Sequence, residues 1–304
     1  MAPARIVMVP RTKARMWVER MNVSAVRARM VALLMVLGAL PLLGVKQLRF
    51  RPGFNFFSHE QDVEAGKQAA AQTDKELPLI TDPQVLSYVD DLGKRLAAVA
   101  PNNIGYPFTF KVVNSPDINA FALPGGFIYV NRATIEAAQD EAQLAGVIAH
   151  EEGHVVMRHA TQRASEMILA KFPLALLGNF LGQSLGNQLT QLGVSFAAGS
   201  LLLKNSLDQE AEADAVGAYT LYHAGYDPHA MAQFFEIIQQ KYPQQTSEFF
   251  SDHPVPEHRI EKVDAEIPEL GPRRSNPKSD SNEFHVAKDR LLRMPPPPKP
   301  GPQQ

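Results

Sequence analysis

Apolar positions recur at helical spacing in several places along the chain. In "DPQVLSYVDDLGKRLAAVA", Asp82 to Ala100, the residues Val85, Tyr88, Val89, Leu92 and Leu96 fall on one helix face, and Pro101, Asn102 and Asn103 end the run. The segment from Phe54 to Leu77 also reads helical, with Glu60, Asp62 and Glu64 near its start and Pro78 beyond its end. "HAMAQFFEIIQQKY", His229 to Tyr242, predicts another amphipathic helix. Between these, "FTFKVV", Phe108 to Val113, alternates and ends in β-branched residues, as a strand does. "NAFALPGGFIYVN", Asn119 to Asn131, reads as two short extended pieces folded about Pro124, Gly125 and Gly126. A long helix is predicted from about Asp140 to near Ala170. The fold class expected is a mostly helical α+β protein, with a small sheet of three or four strands over the helix that carries His150.

The two ends differ from this pattern. Arg5, Arg11, Lys13, Arg15, Arg20, Arg27 and Arg29 face a single acid, Glu19, before the apolar run Met30 to Val45. A basic arm followed by an apolar segment has the layout of a secretory signal or a signal anchor. The run is short against the roughly 20 residues of a membrane span, so a buried core helix is the alternative. Initiation at Met16 or Met21 would leave a conventional export signal. Charge asymmetry then keeps the arm cytoplasmic and exports everything after Lys46, or anchors it at the inner membrane on the periplasmic side. The tail from Pro268 is rich in proline and charge, ends "RMPPPPKPGPQQ", and is predicted to be disordered. Three regions result: the arm and apolar segment (1–50), one folded domain (51–268) and the tail (269–304). Within the domain, residues 172–204 are apolar, glycine-rich and almost uncharged. They read as a core hairpin or as a lid or membrane-facing flap.

Composition narrows the chemistry. A net charge of -2 offers no basic field for nucleic acid, and 45% hydrophobic residues is too few for a polytopic membrane protein. With no cysteine there can be no disulfide, thiolate metal site or cysteine nucleophile, so any metal must be held by histidine and carboxylate.

Such a set is present in "AGVIAHEEGHVVMRHA", Ala145 to Ala160. His150 and His154, four apart, sit one turn above each other on a helix and can aim at one point. Glu151 lies about 100° round from His150, beside that point, where a base can take a proton from a water activated by the metal. A hydrolytic zinc site needs a third ligand. A metzincin would place a histidine at position 160, which is Ala160; His159 is one short and would be rotated away from the zinc face. A thermolysin-type glutamate would fall where Lys171, Phe172, Pro173 and Leu174 stand, and a deformylase needs an absent cysteine. The remaining candidate is "SLDQEAEADAVGAY", Ser206 to Tyr219, in which Glu210 and Asp214 share a helix face. Glu210 can be the third ligand, and Asp214 can orient a ligand histidine through its other nitrogen. Ala211, Ala213, Ala215 and Gly217 would allow close approach to the His150 helix. A solvated acidic face that includes Glu212 is the alternative for this segment alone.

These residues resemble the gluzincin metallopeptidases that include the CAAX prenyl protease, bacterial HtpX and BepA, and the mitochondrial OMA protease. Four stretches in order carry the resemblance: "NAFALPGGFIYVN", "HEEGHVVMRH", "EAEAD" with Gly217, and "HPVPEHRI" from His253 to Ile260. It implies one zinc ion held by His150, His154 and Glu210, with Glu151 as general base and Asp214 behind a ligand. It also implies that Asn119, Ala120, Phe121 and Ala122 form an edge strand that pairs with substrate backbone. His253 and Arg259 match a segment near the metal in relatives, where the histidine stabilises the oxyanion or plugs the site. For His253 a plain turn residue before Pro254 is the alternative. Many relatives carry an arginine shortly before the E-x-x-A-D motif; here Ser206 is followed by Leu207 and Asp208.

The function expected is zinc-dependent cleavage of peptide bonds in misfolded or unassembled envelope proteins. Its partners would be protein or peptide substrates and, through the N-terminal segment, a membrane; no nucleic acid is expected. A latent or non-proteolytic zinc-stabilised chaperone is the alternative. A metal-storage module has no use for Glu151.

Overall fold

The computed structural model describes residues 50–171, 205–242, 247–253, 259–272 and 274–297. Helix α1 (His59–Glu76) begins later than the apolar pattern predicts, because Ser58 and Gln61 form a reciprocal capping box. Helix α2 (Pro83–Ala97) starts on an Asp82 cap with proline in its first turn. Strands β1 (Thr109–Val113), β2 (Ala120–Leu123) and β3 (Phe127–Asn131) form a sheet of order β1-β3-β2. β1 runs parallel to β3, and β2 antiparallel to it. The turn between β2 and β3 needs Gly125 at a φ of 75°, where a side chain would also strike the backbone of Val63. On the β1 side, Leu79 bridges Val113. On its outer side β2 has no partner strand among the described residues.

The short α3 (Arg132–Ala137) leads into α4 (Glu141–Val156), every residue of which is buried. α4 is the central rod of the domain: α6 (Leu207–Ala224) and α7 (His229–Lys241) pack along it, with α2 and β2 on other faces. α5 (His159–Lys171), α8 (Ser247–Asp252), α9 (Arg259–Leu270) and α10 (Asn282–Arg293) complete the described elements. None of the described helices is long and apolar enough to cross a membrane. The predicted N-terminal signal or anchor and the apolar 172–204 segment lie outside the described residues.

Two expectations need correction. The single helix from Asp140 to Ala170 is broken into α4 and α5 at Arg158, whose φ of 62° is left-handed. The strain, of order 1 kcal/mol or more, is offset by a long-range ion pair: Arg158 Nε and Nη2 donate to the buried Asp62 carboxylate at 2.6 and 3.1 Å. The tail is also not disordered throughout. Pro268 sits inside α9, and α10 buries Phe284, Ala287 and Leu291 from a strongly charged sequence. Arg132 then caps α10, donating to Leu291 O at 2.5 Å and Pro295 O at 2.6 Å.

Candidate metal centre

The centre is built where α4 and α6 touch. A Cβ on Gly153 would lie 2.8 Å from the carbonyl oxygen of Ala213, so only glycine allows this approach. A Cβ on Gly217 would lie 3.4 Å from the backbone nitrogen of His150, an ordinary contact, so Ala213 and Gly217 are the two of the four expected small residues that meet the His150 helix here. The approach brings Glu210 beneath both histidines. His150 Nε2 is 3.0 Å from His154 Nε2 and 3.3 Å from Glu210 Oε2, and His154 Nε2 is 3.4 Å from Glu210 Oε1.

A fourth group joins them. His253 Nδ1 lies 3.2 Å from Glu210 Oε1 and 3.3 Å from His150 Nε2. His253 is therefore not a free turn residue. Its backbone continues α8 through a 2.7 Å bond to Phe249 O, and its ring stacks on Phe249, which stacks on Phe235.

All four donor atoms lie within 4.8 Å of one another and all four residues are buried. Ligands about 2.0–2.2 Å from one tetrahedral ion stand about 3.3–3.6 Å apart. Five of the separations among these nitrogens and oxygens, 3.0–3.4 Å, lie close to that figure, so the residues can gather about one metal ion.

Burial would raise the Glu210 carboxyl, but the imidazoles of His253, His154 and His150 hold it far below the usual carboxylate range. Burial pushes His154 well below the usual imidazole value, which favours the neutral, ligating form. Burial also raises Glu151, against the pull of His253 and His150. Glu151 Oε1 is buried without a hydrogen-bond donor, 3.5 Å from His253 Nε2. A raised carboxyl beside a metal cleft suits a group that must accept and return a proton.

Behind the ligands the two histidines are held differently. His150 Nδ1 meets Asp214 Oδ1 at 2.9 Å. His154 Nδ1 instead meets His159 Nδ1 at 2.8 Å, and His159 Nε2 meets Glu212 Oε2 at 3.0 Å. With Nε2 of each ligand turned to the metal point, Nδ1 of each carries the proton. His154 therefore donates to His159, which donates in turn to Glu212. His159 stays off the metal point, but because α5 is a separate helix its ring stands directly behind His154. Spacing inside one helix could not reveal this.

A cavity of about 610 Å³ runs from Glu151, His154 and His253 along β2. Asn119, Phe121 and Ala122 line it, whereas Ala120 is fully buried elsewhere. Asn119 Nδ2 is 3.4 Å from Asp252 Oδ2, and Phe121 stacks on Tyr129. Arg259 opens α9; its side chain lies outside the described residues.

A buried helix bearing two histidines, a glutamate from a second helix and a small sheet whose antiparallel edge strand has no outer partner among the described residues define the gluzincin class of metallopeptidase folds. The chain belongs to peptidase family M48, whose profile matches residues 83–267. It is 33% identical over 242 residues to the beta-barrel assembly-enhancing protease of Escherichia coli, covering 77% of this chain and 49% of that protein. It is 31% identical over 184 residues to the mitochondrial metalloendopeptidase OMA1 of Schizosaccharomyces pombe, covering 60% and 53%. The metalloprotease YcaL of Escherichia coli is 31% identical over 186 residues, covering 59% and 72%. The chain thus spans about half the length of the beta-barrel assembly-enhancing proteases it matches.

Proposed function

We propose that the chain is a zinc-dependent endopeptidase acting on misfolded or unassembled envelope proteins, with His150, His154 and Glu210 as ligands and Glu151 as general base. The observation that carries the reading is the buried Glu151 carboxylate beside a ligand set of tetrahedral spacing. When bound, zinc supplies Lewis acidity to the scissile carbonyl and lowers the pKa of the attacking water toward about 7. Glu151 takes the proton of that water and returns it to the leaving amine. Asp214 holds the His150 tautomer. The edge of β2, with Asn119, Phe121 and Ala122, lays an extended substrate against the cleft, and Arg259 contacts it from α9. The envelope assignment rests on the relative named for β-barrel assembly and on the basic-then-apolar layout of residues 1–50, which would export or anchor the chain at the inner membrane.

One observation favours a second, latent reading of the same site. His253 Nδ1 stands among the ligand atoms, where a catalytic metal keeps an open position. In this reading the ring closes the centre and must swing away, after which it can stabilise the oxyanion.

The test is the full chain in wild-type and Glu151→Gln forms, assayed for zinc content and for cleavage of unfolded casein. Both should hold one zinc per chain, and only the wild type should cleave, with a chelator abolishing its activity. Absence of bound metal from both would overturn the proposal.

A further inference from the structure

Arg163 and Asn205, which the motifs do not include, line the same cavity as Glu151 and His154. Arg163 projects from α5, and burial pulls its pKa down to about 10, so it remains a cation at neutral pH. Its Nη1 donates to Asn205 Oδ1 and, at 3.4 Å, to Gln209 Oε1. A guanidinium has five donors and no acceptor. The atom of the Asn205 amide that faces it must therefore be the oxygen, and the amide nitrogen is turned the opposite way. That nitrogen, Nδ2, lies 3.4 Å from His154 Nε2, the ring atom directed at the metal point.

The position is stiff. Asn205 directly precedes Ser206, which caps the helix bearing Glu210, and its backbone N–H donates to Asp252 O at 3.3 Å. Gln209 Oε1, which accepts from Arg163, also accepts from the backbone N–H of Ser206.

We propose that the Asn205 side-chain amide is a catalytic hydrogen-bond donor to the oxyanion of the tetrahedral intermediate, and that Arg163 is the positioning residue that fixes its orientation. The inference rests on the peptidase reading above. With His154 Nε2 engaged by the metal, that nitrogen has no lone pair left for Asn205, and the amide donor is left for an oxygen entering the cleft. As water adds to the scissile carbon, the carbonyl π electrons move onto its oxygen, and Nδ2–H donates to the charge that develops there. Asn205 gives up no proton; the proton returned to the leaving amine when the C–N bond breaks is the one held by Glu151. A cation from α5 thus supplies, through an amide, a polar contact on a segment whose sequence lacks an arginine near Glu210.

The experiment compares the full-length wild type with Asn205→Ala, the isosteric Asn205→Asp, and Arg163→Met. Each is also made in a His253→Ala background, which removes the ring from the fourth position. Calorimetry reads the binding of a peptide phosphonamidate, whose tetrahedral oxygens imitate the intermediate. Zinc content, kcat and KM are read alongside. Both Asn205 variants should bind the phosphonamidate about 100-fold more weakly and lose kcat by a similar factor, with KM and zinc content unchanged. Arg163→Met should show a smaller loss of the same kind. Asn205 variants that bind the phosphonamidate like the parent, or that lose zinc, overturn the inference and leave the contact as a clip between α5 and α6. A zinc-loaded parent that fails to bind it in both backgrounds overturns the peptidase reading itself.

Discussion

At the scale of single residues, the two ligand histidines differ in what stands behind them. Asp214 backs His150 directly, whereas His154 is backed by a neutral ring whose far nitrogen reaches Glu212, a carboxylate 47% exposed. Replacing His159 with Ala should lower zinc affinity about 10- to 100-fold, measured by competition with a chelator, while Gln, which can accept and donate, should recover part of the loss. His253 gives the opposite expectation. If its ring closes the centre, His253→Ala keeps one zinc per chain and raises casein cleavage several-fold; a fall in cleavage would assign it to the oxyanion instead. His150 with His154, and Glu210 with Asp214, could be paired in the sequence because four-residue spacing puts each pair on one helix face, with Glu151 beside the first and each pair strengthening the reading of the other. His253 could be put near the metal only by resemblance, since its placement depends on a stack with Phe249, and the contact of His159 with His154 could not be read at all, since it depends on a helix break held by distant Asp62.

At the scale of elements, the metal centre depends on how closely α4 and α6 pack. Gly153→Val should cost about 1–3 kcal/mol in urea unfolding and lower zinc content, because Ala213 must move and Glu210 moves with it. The same substitution on an exposed helix face would leave zinc binding alone. α2, α7 and the three strands could be read from apolar spacing and turn residues. α10 could not be read that way while the tail was judged by composition: Phe284, Ala287 and Leu291 follow helical spacing inside a segment dominated by proline and charge.

At the scale of the whole molecule, the buried carboxylate of Glu141 gathers separate parts of the chain. Tyr88 donates to it from α2, Tyr226 from the loop after α6, and Lys278 and Ser281 from the segment before α10. Burial would raise this carboxyl, but the bonds from Lys278, Ser281 and Tyr226 outweigh it and hold it below its ordinary value. A depressed folded pKa contributes stability that is fully present above the unfolded value, near 4.3, and is lost as pH falls through the folded one. Glu141→Gln should therefore cost about 2 kcal/mol at pH 7, and the gap from wild type should close as the pH drops below 4, followed by thermal unfolding. The α+β class followed from the order of periodic segments, whereas a charge cluster joining four stretches of chain has no local pattern to betray it.

The open side of β2 has one more consequence. A strand edge reads peptide groups, which every sequence carries, and it can read them only in a segment able to lie extended. A folded protein keeps its peptide groups occupied and has nothing to lend. On the proposed pairing, selection among envelope proteins would need no recognition motif: the edge would sort them by whether they had finished folding.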